Sequence, residues 1–170
     1  MELSGWAIIT LVIGLVIAVF SDLSVRKIPN AVTLGMVIVS VVFHTWFGHW
    51  EGLVFSLAGL LTGLICFIPL YLFAAMGAGD VKLLSAVGAV VGAKMVFLAA
   101  LMTVIAGGGL ALVYITVRGG LPAMIKRYLS MFWLLAARQP QYIPPAPGEA
   151  AGLRFPYALA IACGTALAVI

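Results

Sequence analysis

Residues 53–76 contain no Asp, Glu, Lys or Arg, and residues 95–117 contain none either. A helix that crosses the ~30 Å hydrocarbon core of a bilayer needs about 20 mostly apolar residues. In that solvent every backbone N–H and C=O must find its partner inside the protein, which leaves helices as the fold for such runs. The rest of the chain agrees. Of its 170 residues 65% are hydrophobic and 8% are charged, where a soluble domain carries roughly a quarter charged residues. The sequence specifies an all-α integral membrane protein in the lipid bilayer.

A helix that is apolar all round gives no periodicity to phase it, so runs and breaks divide the chain. They predict six transmembrane helices, over residues 4–21, 31–47, 53–76, 81–93, 95–117 and 156–170. These nearly exhaust the chain, so residues 1–170 are expected to be a single membrane-embedded domain with no soluble part. The first run follows Glu2 rather than a basic cluster and shows no small-x-small cleavage pattern, so it reads as a retained helix and not a signal peptide. Cys66 and Cys163 lie inside apolar runs and form no CxxC pair, which points to small buried hydrophobes rather than a zinc site.

The net charge of +4 does not call for a nucleic-acid partner, because membrane proteins gather Lys and Arg on their cytoplasmic loops. With six crossings, Arg26, Lys27, Lys82, Arg118, Lys126, Arg127, Arg138 and Arg154 fall on one face, against Lys94 on the other. The first face is then cytoplasmic, and both termini are outside, on the periplasmic side of an inner membrane.

This topology sets Asp22, at the inner end of the first crossing, level with Asp80, at the inner end of the third. An ionised carboxylate at lipid depth is costly and calls for a reason. Two carboxyl groups within hydrogen-bond reach cannot both ionise cheaply, so near neutral pH they share a proton. Such a pair activates a water with one member and protonates a peptide carbonyl with the other. Gly77 and Gly79, in the stretch GAGD, let the backbone turn and approach a substrate chain closely.

Plainer readings stand beside this one. Asp22 and Arg26 are spaced for an i, i+4 salt bridge on a continuing helix. Asp80 is also what a helix N-terminus favours. Lys82, two residues on, is expected to point away from Asp80 and to snorkel toward the interface. An ion-coupled transporter using the same aspartates is a further alternative, although transporters carry internal repeats and midplane charges. A non-catalytic assembly factor would keep the helices without needing both carboxylates.

Three segments resemble the prepilin peptidase family of GxGD membrane aspartic proteases. GAGDVKLLSAVGA resembles the GxGD motif, DLSVRKIPN resembles the other active-site segment, and RFPYALAIACG resembles the Pro-Tyr segment that opens the last helix. They occur in the family's order. The resemblance implies that Asp22 and Asp80 are the catalytic pair, with Gly77 and Gly79 as the backbone motif. Pro29, Asn30, Lys82, Pro156 and Tyr157 are possible supporting residues. It also implies an endopeptidase that removes the cytoplasmic leader of prepilins and pseudopilins, with no cofactor and no metal. Larger members carry an N-terminal region with paired CxxC motifs and N-methylate the new terminus. Here no such zinc or methyltransferase region is seen, so cleavage without methylation is expected. The size is similar to the dedicated peptidases of tight-adherence (Flp-type) pilus systems, with archaeal preflagellin peptidases a close second.

Residues 121–138 place Ile125, Tyr128, Leu129, Phe132 and Leu135 at helical spacing, which predicts an interfacial helix on the cytoplasmic side. The proline-rich stretch 139–152 is expected to be an extended loop.

Overall fold

A computed structural model describes residues 4–72, 76–117, 121–136 and 157–169. It contains five helices: α1 (Gly5–Val25), α2 (Asn30–Leu72), α3 (Ala78–Val117), α4 (Leu121–Ala136) and α5 (Tyr157–Val169). Among the described residues, three helical stretches are long and apolar enough to cross a membrane: Gly5–Val25, Asn30–Leu72 and Ala78–Val113. The expectation of six transmembrane helices is therefore corrected to five helices with three apolar spanning segments. The placement of both termini on the periplasmic side relied on six crossings and falls with that count.

The physical reason for the miscount lies at two residues. GHWEG (48–52) and Gly92-Ala93-Lys94 read as loops, but neither contains a proline or a long polar run to stop a helix. In α2 the interruption is His49 alone (φ 49°, ψ −131°), and in α3 it is Gly92 alone (φ 81°, ψ 172°). The bend at His49 is sharp: the rings of His44 and Phe55 lie 4.8 Å apart, where 11 residues of straight helix would separate them by about 16 Å. At the other end of the chain, α5 has 13 residues and so reaches only about 20 Å.

Met1–Gly107 with Pro156–Ile170 form one compact unit and Gly108–Phe155 a second. In the first unit the core is the opening stretch of α3. Val81, Leu83, Leu84, Ala86, Val87, Ala89 and Val90 are each at most 5% exposed, and from Leu83 onward this stretch is covered on every side. Against it runs the later part of α2, where Ser56 Oγ donates to Ala89 O at 2.9 Å. Close approach is permitted by Gly59 and Gly88, each of which would drive an added Cβ into the other's carbonyl. Small residues at such contacts are how membrane helices gain dispersion contacts when lipid removes the hydrophobic driving force. Far from Asp22 on α1, Trp6 stacks on Phe43 at 5.0 Å and meets His44 edge-on at 4.9 Å. The His44 ring is also hydrogen-bonded to Val90 O at 3.0 Å.

Of the two cysteines, Cys66 is half-buried and Cys163 is exposed, so the expectation of a buried thiol fails at Cys163. In the second unit, α4 forms as a helix. Ile125, Leu129 and Trp133 line one exposed side of it at four-residue spacing. Residues 137–138 of the expected helix, the stretch 139–152 and Pro156 lie outside the described residues.

Candidate active site

The break after α1 is built by its own residues. Arg26 adopts the left-handed conformation (φ 53°, ψ 37°), and its N–H closes the helix on Asp22 O. A left-handed residue in this position is a common way to end a helix. Arg26 thus terminates α1 rather than continuing it toward an i, i+4 pairing with Asp22. The Ser21 hydroxyl donates to Lys27 O at 2.7 Å, folding the linker back over the last turn. Pro29 O accepts from Val32 N at 3.1 Å, and the Thr33 hydroxyl donates to Asn30 O at 3.1 Å. Pro29 and Asn30 therefore open α2, as their residue types suggest.

GAGD forms the start of α3. Asp80 N donates to Gly77 O at 3.1 Å, while Gly77 N donates to Asp80 Oδ2 at 2.9 Å. The second bond is one half of a capping box, an acidic side chain reaching back to the amide that opens the helix; Gly77 has no side chain to supply the other half. The GxGD spacing hence has a local structural purpose whatever its chemistry. Gly77 and Gly79 are not called upon for positive φ, since the positive-φ glycine among the described residues is Gly92. Their contribution is space. A Cβ at Gly77 would lie 3.3 Å from Asp80 Oδ2, and one at Gly79 would lie 3.3 Å from Ile28 Cβ. Gly79 accordingly seats the α1–α2 linker against α3.

A second tie joins the same two segments. Lys82 Nζ donates to Asn30 Oδ1 at 3.0 Å, so Lys82 has a specific partner on α2. Asp22 and Asp80 lie in the two segments that this contact joins. Each is 8% exposed, and the charge of Asp22 acts on Asp80. Asp22 Oδ2 accepts from Ala158 N at 3.1 Å, in the first turn of α5. Tyr157, beside it, stands in the field of Asp80, and its ring lies against Gly107. The structure thus gathers Asp22, Asp80, Gly77, Gly79, Asn30, Lys82 and Tyr157 at one end of the unit. Sequence reasoning missed Ala158 because a main-chain amide leaves no mark on residue type. Among the described residues no group of three or more His, Cys, Asp or Glu is placed to hold a metal ion.

The arrangement offers two buried carboxyl groups, each held by a backbone N–H, with Tyr157 beside them. Comparison with known proteins agrees with these segments. The sequence matches the Type IV leader peptidase family over residues 9–112, a stretch that contains both aspartates. The prepilin leader peptidase/N-methyltransferase of Legionella pneumophila is 30% identical over 146 residues, covering 77% of this chain and 48% of that protein. The chain thus spans about half the length of this curated relative. No solved structure matches. By this family match and this relative, the chain belongs to the Type IV leader peptidase family.

Proposed function

We propose that this chain is an aspartic endopeptidase of the cell inner membrane that removes the cytoplasmic leader of Flp-type prepilins or pseudopilins. The observation that carries the reading is that Asp22 and Asp80, 58 positions apart in sequence, are both buried, with the charge of Asp22 acting on Asp80 and their segments tied by Lys82 and Asn30. Arg26 and Lys27 follow Asp22 in sequence and Lys82 follows Asp80, the charge signature of a cytoplasmic face.

In this mechanism a water sits between the two carboxyl groups, one ionised and one protonated. The ionised group takes a proton from the water as its oxygen attacks the scissile carbonyl carbon. The protonated group gives its proton to the carbonyl oxygen, forming a tetrahedral gem-diol. Collapse of that intermediate breaks the C–N bond, and the proton first taken from water passes to the leaving amine. The two aspartates act as one coupled unit, so apparent pKa values belong to the pair. Cleavage without methylation completes the reading.

The test uses the purified chain in nanodiscs with a Flp-type prepilin, followed by mass spectrometry. The expected product is mature pilin cut at the end of its hydrophilic leader, with an unmethylated amine. An intact prepilin, across several substrates of that type, would rule the reading out.

A further inference from the structure

Asp22 and Asp80 sit at opposite kinds of helix end. Asp80 lies in the first turn of α3, where unpaired amides favour an anion. Asp22 lies in the last turn of α1, where unpaired carbonyls put partial negative charge beside the carboxylate. Support arrives from α5. The Ala158 N–H belongs to the first helical turn, where amides have no partner within the helix, and it meets Asp22 Oδ2 at 3.1 Å. Ala158 itself is 0% exposed, so water does not compete for that bond. Asp22 in effect caps a helix that begins 135 residues later in the chain. Tyr157, in the same turn, stands in the field of Asp80, so this turn of α5 addresses both carboxylates.

We propose that the Ala158 main-chain N–H is a positioning group: it holds the Asp22 carboxylate in the orientation that lets it share a water with Asp80. On this account α5 is a working part of the site and not only an anchor in lipid. The proposal rests on the endopeptidase reading above.

The test replaces Ala158 in the full-length protein with L-lactic acid, which turns the N–H into an ester oxygen and keeps the side chain. The same change at Leu159, with L-leucic acid, is the control, since that amide lies in the same turn. Loss of a hydrogen bond to a charged group predicts a fall in kcat of about 10- to 100-fold for the ester at 158, with KM within about twofold. The ester at 159 is expected to leave kcat within about twofold. Ala158→Pro removes the same N–H at a helix position that tolerates proline, and is expected to lower kcat likewise. A substrate-free comparison accompanies these: with Asp22→Ala in place, the ester at 158 is expected to cause no further fall in Tm.

Equal losses from the two esters, or Tm losses that add, would overturn the proposal. A wild-type chain that cleaves no prepilin overturns the endopeptidase reading instead. The Tm comparison, which needs no substrate, tells the two failures apart.

Discussion

Lys82 Nζ donates to Asn30 Oδ1 at 3.0 Å, joining the N-terminal parts of α3 and α2 across 52 positions of sequence. Asp80 precedes Lys82 by two residues and Asp22 precedes Asn30 by eight, so this bond ties together the two segments that carry the carboxylates. Lys82→Met keeps the aliphatic stem and removes the donor. It is expected to lower stability by ~0.5–1.5 kcal/mol and to slow cleavage several-fold. Asn30→Asp keeps an acceptor and should retain both properties, whereas Asn30→Leu should match Lys82→Met. Thermal unfolding in nanodiscs, run beside prepilin cleavage, checks this. An Asp substitution as harmful as the Leu would show that the bond does not matter.

Arg26 ends α1 in the left-handed region, which costs a residue with a Cβ about 1 kcal/mol. Arg26→Gly is expected to raise stability by ~0.5–1 kcal/mol, because glycine adopts that conformation freely. An unchanged or lower Tm for the variant would mean that the arginine side chain contributes more than its backbone strain costs.

Gly59 and Gly88 let α2 and α3 approach backbone to backbone. Gly59→Val forces the helices apart in the most buried part of the unit and is expected to cost ~1–3 kcal/mol or more. The check is the yield and Tm of the detergent-purified variant beside Gly35→Val, where an added Cβ meets nothing within 4 Å. Similar losses at the two positions would contradict the close-approach account.

Gly79 seats Ile28, with only 3.3 Å available to an added Cβ. Gly79→Ala should be absorbed by a small shift of the Ile28 side chain, with a modest loss of cleavage. Gly79→Val should push the linker away from α3 and lower kcat by about tenfold or more. The measured quantity is the ratio of kcat between the two variants; equal rates would place the tolerance of this site elsewhere.

The residues of the candidate site stand out in the sequence, and the helix count does not. Asp22 and Asp80 stand out because a carboxylate in apolar surroundings is rare and costly. Pro29 and Asn30 mark a helix start by residue type alone. What the sequence hid follows from its uniformity. Around His49 and Gly92 the chain is apolar or neutral on both sides, so nothing distinguishes a one-residue interruption from a loop. The sidedness of the termini was lost with that count. Hydrogen bonds were hidden for a different reason. The Gly77 and Ala158 amides hold the two carboxylates, and every residue type except proline carries such an amide. Lys82 was legible as a cation near Asp80 in sequence, but its partner Asn30 emerged only when the α1–α2 linker was seen against α3.

The central claim is that Asp22 and Asp80 act together on one water. The most direct measurement is single-turnover cleavage of a Flp-type prepilin by the wild type, Asp22→Asn and Asp80→Asn, at matched amounts of folded protein in nanodiscs. Each single substitution is expected to lower the rate by at least about 1,000-fold, with the double variant no slower than either, since the pair works as a unit. Cleavage by either single variant at a rate near that of the wild type would contradict the account.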